Sequence, residues 1–573
     1  MRLYKTKSFS SEVLLFLLIF YIHRICEGRI SDSLKITLPH GGGIIGRYLR
    51  SFRGHGIRAF MGIPYAEPPV GNLRFSNPVP KSPWSGYLET VSNEVMCPQF
   101  DTMRHNAHVG KEDCLYLNVY VPQFPNRTDL LPVMIFFHGG AFKHGSSFYY
   151  SPDFLLDHDV ILLVGNYRLG ALGFLSTNTS DSPGNFGLKD QVEILKWVQE
   201  NIGVFGGNRD QVTIFGESAG SASVTYLMSY PASKGLFHKA IAQSGTLYAP
   251  WAFANTSESL AVTLRLAHGL RCERGRHHNW SRLVECLRHK TVENILEVSS
   301  TLSKWMGMPL VVFPPSVEKD REGAFLTQHS ESLRENHGSK IPLLIGLTSD
   351  EGAFVSAPIL GKPRIVQELH ERWDQILSHL LFYDTFNNTK KEEITAAIND
   401  FYFEGKKGRS AIEMRQNFTN LFTDFIILKG LNKFLERRFQ EGIESADTFV
   451  YLFSHRGEGS YSDVIAGPDS MDYGVSHGDD LIYLFPLLDK PVFRAAPSKE
   501  DIFMQETLVK LWVNFATSGN PTPVENVDIN WMPAHKFPLD YLRIGNYKNP
   551  NQTVFNMERN LWQERGEFVE GIY

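Results

Sequence analysis

The chain has 573 residues, of which 42% are hydrophobic and 21% are charged, and its formal net charge is −5 at pH 7. This composition is typical of a globular protein with a large apolar core. The small negative charge, together with the absence of any basic run or RNA-binding motif in the sequence, argues against a nucleic-acid partner.

The first 28 residues predict a secretory signal peptide. Arg2, Lys5 and Lys7 form a basic start, residues 13–22 are unbroken apolar, and residues 26–28 offer a cleavage site. The apolar run is far shorter than the roughly 20 residues that span a bilayer, which favours a signal peptide over a membrane anchor. No later segment predicts a span, a retention signal or a lipid anchor. We therefore expect a secreted protein with no stable membrane anchor, and no long polar linker divides residues 29–573, which we expect to form one domain.

Four cysteines follow the predicted signal peptide, and their order suggests two short-range disulfides, Cys97–Cys114 and Cys272–Cys286. Such pairs suit an oxidising compartment, and free buried thiols are the alternative. Candidate glycosylation sequons occur at seven positions, Asn126, Asn178, Asn255, Asn279, Asn387, Asn417 and Asn551. An exported chain can carry glycans at such positions.

Strands and helices alternate along the chain, which predicts an α/β fold. Strands are predicted at 119–121, 133–137, 160–164, 212–215, 240–242, 342–345 and 448–453. Two of them, 133–137 and 160–164, are continuous apolar runs, as expected for a mostly parallel sheet that helices cover on both faces. The apolar spacing predicts a helix at 188–202. We also expect a mostly helical insertion at 357–445 and a late helix that opens at 505–512.

A glycine-rich turn follows the predicted strand at 133–137, with the sequence Phe-Phe-His-Gly-Gly-Ala-Phe at 136–142. Small residues at a strand end let backbone N–H groups approach a substrate oxygen, as in the oxyanion loop of esterases. An ordinary strand-end turn is the alternative.

Ser218 lies at the centre of a Gly-x-Ser-x-Gly motif that follows the apolar strand at 212–215. A serine on such a strand-to-helix turn is the nucleophile elbow of the α/β-hydrolase fold. A side chain on Gly216 or Gly220 would collide with a neighbouring strand or helix, and the following helix directs its positive end at the serine. For the motif alone, a glycine-rich loop is the alternative.

A serine nucleophile needs a base, and on this fold an acid and then a histidine follow it in the chain. Asp350 and Glu351 come just after a predicted strand, and His477 lies in a glycine-flanked loop. The histidine would accept the serine proton, and the acid would orient the imidazole. The spacing does not choose between the two acids, either of which could instead cap a helix. A late histidine is also expected by chance, since the chain has 20.

The sequence resembles the type-B carboxylesterase and cholinesterase family over nearly the whole mature chain. The resemblance rests on the segments 62–75 (GIPYAEPPVGNLRF), 112–118 (EDCLYLN), 166–170 (NYRLG), 184–191 (GNFGLKDQ) and 512–516 (WVNFA), besides the motifs above. It implies Ser218 as nucleophile, Glu351 rather than Asp350 as acid, and His477 as base. It also implies the backbone N–H groups of Gly140, Ala141 and Ala219 as oxyanion donors, Ser244 and Glu217 as supporting residues, the ion pairs Arg74–Glu112 and Arg168–Asp190, and both disulfides.

The sequence departs from the family pattern at four places. Ala141 stands where many members have a third glycine, which a backbone donor should tolerate, and Asp480 stands where cholinesterases carry glutamate. No tryptophan lies between Cys97 and Cys114, so capture of choline by cation–π contact there is not expected. Glu217 stands where juvenile hormone esterases usually carry glutamine, which argues against that activity.

These observations predict a secreted serine hydrolase that cleaves carboxylic esters through an acyl-enzyme intermediate. Its sequence resembles that of a secreted insect carboxylesterase. We expect a small ester as its partner, no metal and no cofactor, and the sequence leaves the oligomeric state open. The alternatives are an adhesion or binding protein that keeps this fold without activity, and a lipase that acts at a membrane surface.

Overall fold

An 11-stranded mixed sheet forms the centre of the protein. The structure is a computed structural model that describes residues 34–101, 107–123, 129–273, 279–333, 338–405, 410–440, 446–466, 471–486, 496–523, 529–545, 555–559 and 562–572. The predicted signal peptide therefore lies outside the described residues. Within them, no helix is both long enough and apolar enough to cross a bilayer.

The strands are β1 (Lys35–Thr37), β2 (Gly43–Ile45), β3 (Arg47–Arg50), β4 (Gly56–Pro64), β5 (Tyr87–Glu89), β6 (Gln99–Asp101), β7 (Ala107–Val109), β8 (Tyr116–Gln123), β9 (Leu131–Phe137), β10 (Ile161–Gly165), β11 (Gly207–Glu217), β12 (Lys239–Gln243), β13 (Leu343–Thr348), β14 (Thr448–Phe453), β15 (Asp540–Ile544) and β16 (Phe555–Arg559). The central sheet has the order β16-β15-β14-β13-β12-β11-β9-β10-β8-β4-β3. Strands β9 to β15 run parallel to one another, whereas β8, β4, β3 and β16 pair antiparallel at its two sides.

The α-helices are α1 (Gly170–Phe174), α2 (Phe186–Asn201), α3 (Ala219–Ser229), α4 (Thr256–Gly269), α5 (Trp280–Arg288), α6 (Val292–Ser300), α7 (Ala353–Leu360), α8 (Pro363–Glu371), α9 (Trp373–Leu380), α10 (Asn388–Phe403), α11 (Ala411–Phe422), α12 (Lys429–Gln440), α13 (Tyr461–Ala466), α14 (Lys499–Ser518) and α15 (Gln563–Gly571). A π-helical turn, Thr423–Leu428, joins α11 to α12.

The apolar strand runs of the sequence are explained by burial on both faces of the sheet. In β9, Val133 and Ile135 pack into one buried cluster, whereas Met134 and Phe136 between them pack into a second cluster. Side chains of a strand alternate between faces, so a strand that is covered on both sides needs apolar residues throughout. The predicted α/β-hydrolase fold is confirmed.

Each predicted strand is present, and the region predicted to be helical contains α7 to α12. The late helix was predicted to open at 505, but α14 already begins at Lys499. Ser498 caps it, and a capping box with Asp501 fixes its start. Both predicted disulfides, Cys97–Cys114 and Cys272–Cys286, are present, as are the ion pairs Arg74–Glu112 and Arg168–Asp190.

Candidate active site

Ser218 occupies a strained turn between β11 and α3. Its backbone has φ 57° and ψ −120°, a region that non-glycine residues rarely enter. The two flanking glycines leave the space that this turn needs. A Cβ on Gly220 would lie 1.9 Å from the Phe137 carbonyl oxygen, and a Cβ on Gly216 would lie 2.6 Å from the backbone of Gly220. The steric reason proposed for the Gly-x-Ser-x-Gly motif is therefore confirmed.

Glu351 is fully buried just after β13, where three donors reach its carboxylate. The Ser244 hydroxyl donates to Oε1 at 2.5 Å, and the Thr348 N–H donates to the same oxygen at 2.7 Å. The other oxygen, Oε2, accepts from Nδ1 of His477 at 2.5 Å. Hydrogen bonds of this kind stabilise an ionised carboxylate and hold the imidazole in one orientation.

Asp350 points away from the imidazole, which separates the two acids that the sequence could not distinguish. Its Oδ2 accepts from the Val475 N–H at 3.1 Å, and its Oδ1 accepts from the Gln416 side chain at 3.0 Å. Asp350 thus connects the turn after β13, which carries Glu351 and is called the acid loop below, to the backbone of the loop that carries His477.

The second ring nitrogen of His477 faces another carboxylate. Nε2 lies 2.9 Å from Oε1 of Glu217, the residue before Ser218. This oxygen accepts no hydrogen bond from the described part of the chain. Burial alone would lower the pKa of His477, but the charges of Glu217 and Glu351 outweigh it and raise that pKa well above its usual value. Within the described residues, the structure gives Ser218 Oγ no hydrogen bond to this nitrogen. Catalytic hydrogen bonds are often loose before substrate binds.

Three backbone N–H groups have no protein acceptor in the described part of the chain, those of Gly140, Ala141 and Ala219. Gly140 and Ala141 line the same cavity as Ser218, and Ala219 follows Ser218 in the chain. Gly140 has φ 101°, and a Cβ there would lie 2.4 Å from the His144 carbonyl oxygen, so this position requires glycine. Ala141 has φ 56°. A non-glycine residue in this left-handed region raises the conformational free energy by on the order of 1 kcal/mol. Alanine in place of the third glycine of the family pattern carries this strain.

His138 supports this loop from below, a role that sequence reasoning missed. It is fully buried, and its ring stacks on Tyr167 with centroids 4.4 Å apart. Burial lowers the pKa of His138 to about 4, so the ring is neutral at neutral pH. Its Nδ1 lies 2.9 Å from the Gly139 carbonyl oxygen. Donation from Nδ1 to this oxygen holds the peptide that carries the Gly140 N–H on its opposite side.

Asp480, which stands where cholinesterases carry glutamate, lies in the network behind the histidine loop. Its Oδ2 accepts from the Gln243 side chain at 2.8 Å and from the Tyr451 hydroxyl at 2.9 Å. Burial raises the pKa of Asp480 to about 6. The shorter side chain therefore still anchors this loop to β12 and β14.

A cavity of about 470 Å³ opens over Ser218, His477 and the glycine-rich loop. Its walls are mostly apolar and come from segments far apart in the chain, with Trp251, Leu310, Phe354, Phe382, Ile426 and Ile427 among them. Among its described lining residues there is no lysine, arginine or aspartate, and Glu217 supplies the carboxylate. The cavity size is typical of a small-molecule site. Apart from the glycine-rich loop, Glu217, Ser218 and His477, sequence reasoning did not identify these walls.

The comparisons with known proteins agree with this geometry. The model of the carboxylesterase family matches residues 32–568. The chain is 37% identical to juvenile hormone esterase of Tribolium castaneum over 97% of each protein, and 37% identical to esterase FE4 of Myzus persicae over 90% of this chain and 89% of that one. It is 32% identical to carboxylesterase 1D of Rattus norvegicus, over 91% of this chain and 92% of that one.

A solved structure has the same fold. The crystal structure of juvenile hormone esterase from Manduca sexta, with OTFP covalently attached, superposes with a TM-score of 0.80 at 28% identity, covering 94% of this chain and 99% of that chain. The serine turn, the buried acid, the histidine and the family match lead to one conclusion. This chain belongs to the carboxylesterase family and is a carboxylic ester hydrolase.

Proposed function

We propose that this protein is a secreted serine esterase that hydrolyses neutral, largely apolar carboxylic esters through an acyl-enzyme on Ser218. The observation that carries the proposal is the bond from His477 to the buried Glu351 beside the strained turn of Ser218, in one apolar cavity. The absence of a described lysine or arginine in the walls and the presence of Glu217 disfavour anionic esters, because a carboxylate repels them.

In this proposal, Ser218 Oγ attacks the ester carbonyl carbon and its proton passes to Nε2 of His477. The carbonyl oxygen gains negative charge and accepts hydrogen bonds from the N–H groups of Gly140, Ala141 and Ala219. Nε2 then returns the proton to the alkoxide, so that an alcohol leaves and the acyl group stays on the serine. Water then attacks the acyl carbon while Nε2 of His477 accepts a proton from it. Nε2 returns this proton to Ser218 Oγ, which releases the carboxylic acid and restores the hydroxyl.

The proposal is tested with a fluorophosphonate probe and a series of p-nitrophenyl esters of increasing acyl length. The native protein should take up one probe molecule, lose its esterase activity with the same time course, and prefer apolar acyl groups longer than acetyl. Heat-unfolded protein is the control, since only the folded turn activates the serine. A folded protein that stays unlabelled would leave a binding protein of the same fold as the better explanation.

A juvenile hormone type of ester is a second candidate, because two of the relatives are juvenile hormone esterases and the cavity is apolar. Glu217, in place of the glutamine expected for that activity, argues against it. Hydrolysis of a juvenile hormone at a rate that exceeds that of simple apolar esters would decide in its favour.

Replacing Glu217 with glutamine should move the acid limb of the pH profile of kcat/KM to lower pH. The base must be neutral to accept a proton, and the Glu217 charge raises the pKa of His477. Without this charge the imidazole loses its proton at a lower pH, so the share of active enzyme in mildly acidic solution increases. Because the pKa of His477 is raised well above its usual value, the profile is measured with a neutral ester from about pH 5 up to about pH 10.

The matched control is Glu94→Gln, which removes an exposed carboxylate from the surface and should leave the limb in place. An unmoved limb in a folded Glu217→Gln enzyme would contradict the proposed electrostatic role of Glu217.

The positions of the sequons support secretion and predict which of them carry glycans. Asn255, Asn279 and Asn387 are exposed N-cap residues, and each side-chain oxygen accepts a backbone N–H of the first turn of α4, α5 or α10. A glycan attaches to Nδ2, so modification leaves the capping oxygen free. Asn178 has a buried Oδ1, and Asn417 lies inside α11. Asn126 and Asn551 fall outside the described residues.

We expect glycopeptide mass spectrometry of the protein secreted from insect cells to find glycans at Asn255, Asn279 and Asn387, with Asn178 and Asn417 empty. Ser257→Ala removes the glycan at Asn255 but keeps the Asn255 side chain as the N-cap of α4. Asn255→Ala removes both the glycan and the N-cap, and should lower the free energy of unfolding by about 1 kcal/mol more than Ser257→Ala does. Occupancy at Asn178, or an N-terminus that still includes residues 1–28, would contradict this account.

A further inference from the structure

One wall of the ester cavity is built from the π-helical turn Thr423–Leu428. Ile426 and Ile427 of this turn line the cavity, as does Phe422 just before it. A π-turn is a rare and locally unfavourable insertion in a helix and is frequent at functional sites. Relaxing it to a regular α-helix would rotate the following side chains, because each turn would then contain fewer residues.

A buried acid lies inside this turn and is bound by the C-terminal helix. Asp424 is fully buried, and Arg565 of α15 donates from Nε to Oδ2 at 2.7 Å and from Nη2 to Oδ1 at 2.6 Å. The Tyr402 hydroxyl also donates to Oδ2, at 2.6 Å. The same guanidinium reaches the Asn420 carbonyl oxygen at 3.2 Å, one turn earlier, and lies over the ring of Trp562 at 4.5 Å.

The pairing couples the shape of the turn to the docking of α15. Burial raises the pKa of Asp424, and the positive charge of Arg565 opposes that shift. A buried carboxylate that loses its partner is strongly destabilising. The π-turn can therefore keep an ionised Asp424 in its interior only while Arg565 remains in place.

The same turn also contacts the acid loop and a second cavity wall. Thr423 Oγ1 accepts the N–H of Gly352, the residue after Glu351, at 2.9 Å. The indole N–H of Trp251, itself a lining residue, donates to the Ile426 carbonyl oxygen at 2.9 Å. A displacement of the turn would thus shift apolar walls of the cavity.

We propose that Arg565 is a specificity-determining positioning residue: by pairing with Asp424 it holds the π-turn in the register that places Ile426 and Ile427 against large apolar esters. Arg565 itself contacts neither the serine nor the cavity. This inference rests on the esterase function proposed above and extends it to the selection of the acyl group.

The test compares kcat and KM for p-nitrophenyl acetate and p-nitrophenyl octanoate in the full chain and in Arg565→Gln. We expect the ratio of kcat/KM for octanoate over acetate to fall about tenfold, through a higher KM for octanoate, as is usual when an apolar contact is lost. The kcat for acetate should stay near that of the native enzyme. Arg565→Lys, which keeps the charge, should restore part of the ratio.

Arg559→Gln is the matched control, because it breaks an exposed ion pair with Asp540 in the same C-terminal region and should not change the ratio. If Arg565→Gln does not fold, the uncharged pair Asp424→Asn with Arg565→Gln gives the same readout. An unchanged or raised ratio in a folded variant would overturn the inference while the esterase function stands. A native protein that hydrolyses neither ester would instead refute the proposed function.

Discussion

Replacing Ser218 with alanine is expected to lower kcat on the order of 10⁶-fold, the size of the effect when a serine hydrolase loses its nucleophile. No other residue of the turn 216–220 carries a hydroxyl. The N–H groups of the proposed oxyanion site can still bind the carbonyl oxygen without forming an acyl-enzyme. Substrate binding should therefore survive, with little change in the affinity for a non-hydrolysable ester analogue. Steady-state hydrolysis of a p-nitrophenyl ester measures the loss.

Ser223→Ala is the matched control for this substitution. Ser223 lies one turn further along α3, is fully buried, and donates to the Ala219 carbonyl oxygen at 2.8 Å. Loss of that hydroxyl should change activity by no more than a few-fold. Retention of fluorophosphonate labelling in a folded Ser218→Ala protein would mean that another residue is the nucleophile.

The parts of the site that could be predicted from sequence are those whose geometry is local. The collision that excludes a side chain at Gly216 involves the backbone of Gly220, four residues later, and any such turn needs the same glycine. The continuous apolar runs of β9 and β10 likewise follow from burial on both faces of a sheet. These features repeat wherever this turn is built, so a short motif is sufficient to recognise them.

The parts that could not be predicted depend on contacts between distant segments. The contact of Glu217 with His477 joins residues from β11 and a loop after β14, and no local pattern encodes it. The π-turn at Thr423–Leu428 looks like ordinary helix in sequence, because the partner of its Asp424 is Arg565 of the last helix, 141 residues away. The start of α14 was missed for a different reason, since its capping box at Ser498 lies before the apolar spacing becomes regular.

The two adjacent acids show where sequence spacing stops being informative. Asp350 and Glu351 lie in the turn after β13, and only the position of the histidine loop decides which of them faces the imidazole. In the structure, Glu351 faces Nδ1 of His477, and Asp350 faces the backbone of Val475.

Glu351→Gln is accordingly expected to lower kcat about 10⁴-fold, as in serine proteases whose acid is made an amide. The amide can direct an N–H group at Nδ1, which favours the wrong tautomer, and it no longer stabilises the imidazolium that forms when Ser218 attacks. Asp350→Asn is the control next to it in the chain. It keeps an oxygen for the Val475 N–H, and we expect at most about a tenfold loss, because a displaced loop weakens positioning without removing the charge. Steady-state kcat for one ester in both variants decides between the acids. If Asp350→Asn were the more damaging of the two, the acid would have been assigned to the wrong residue.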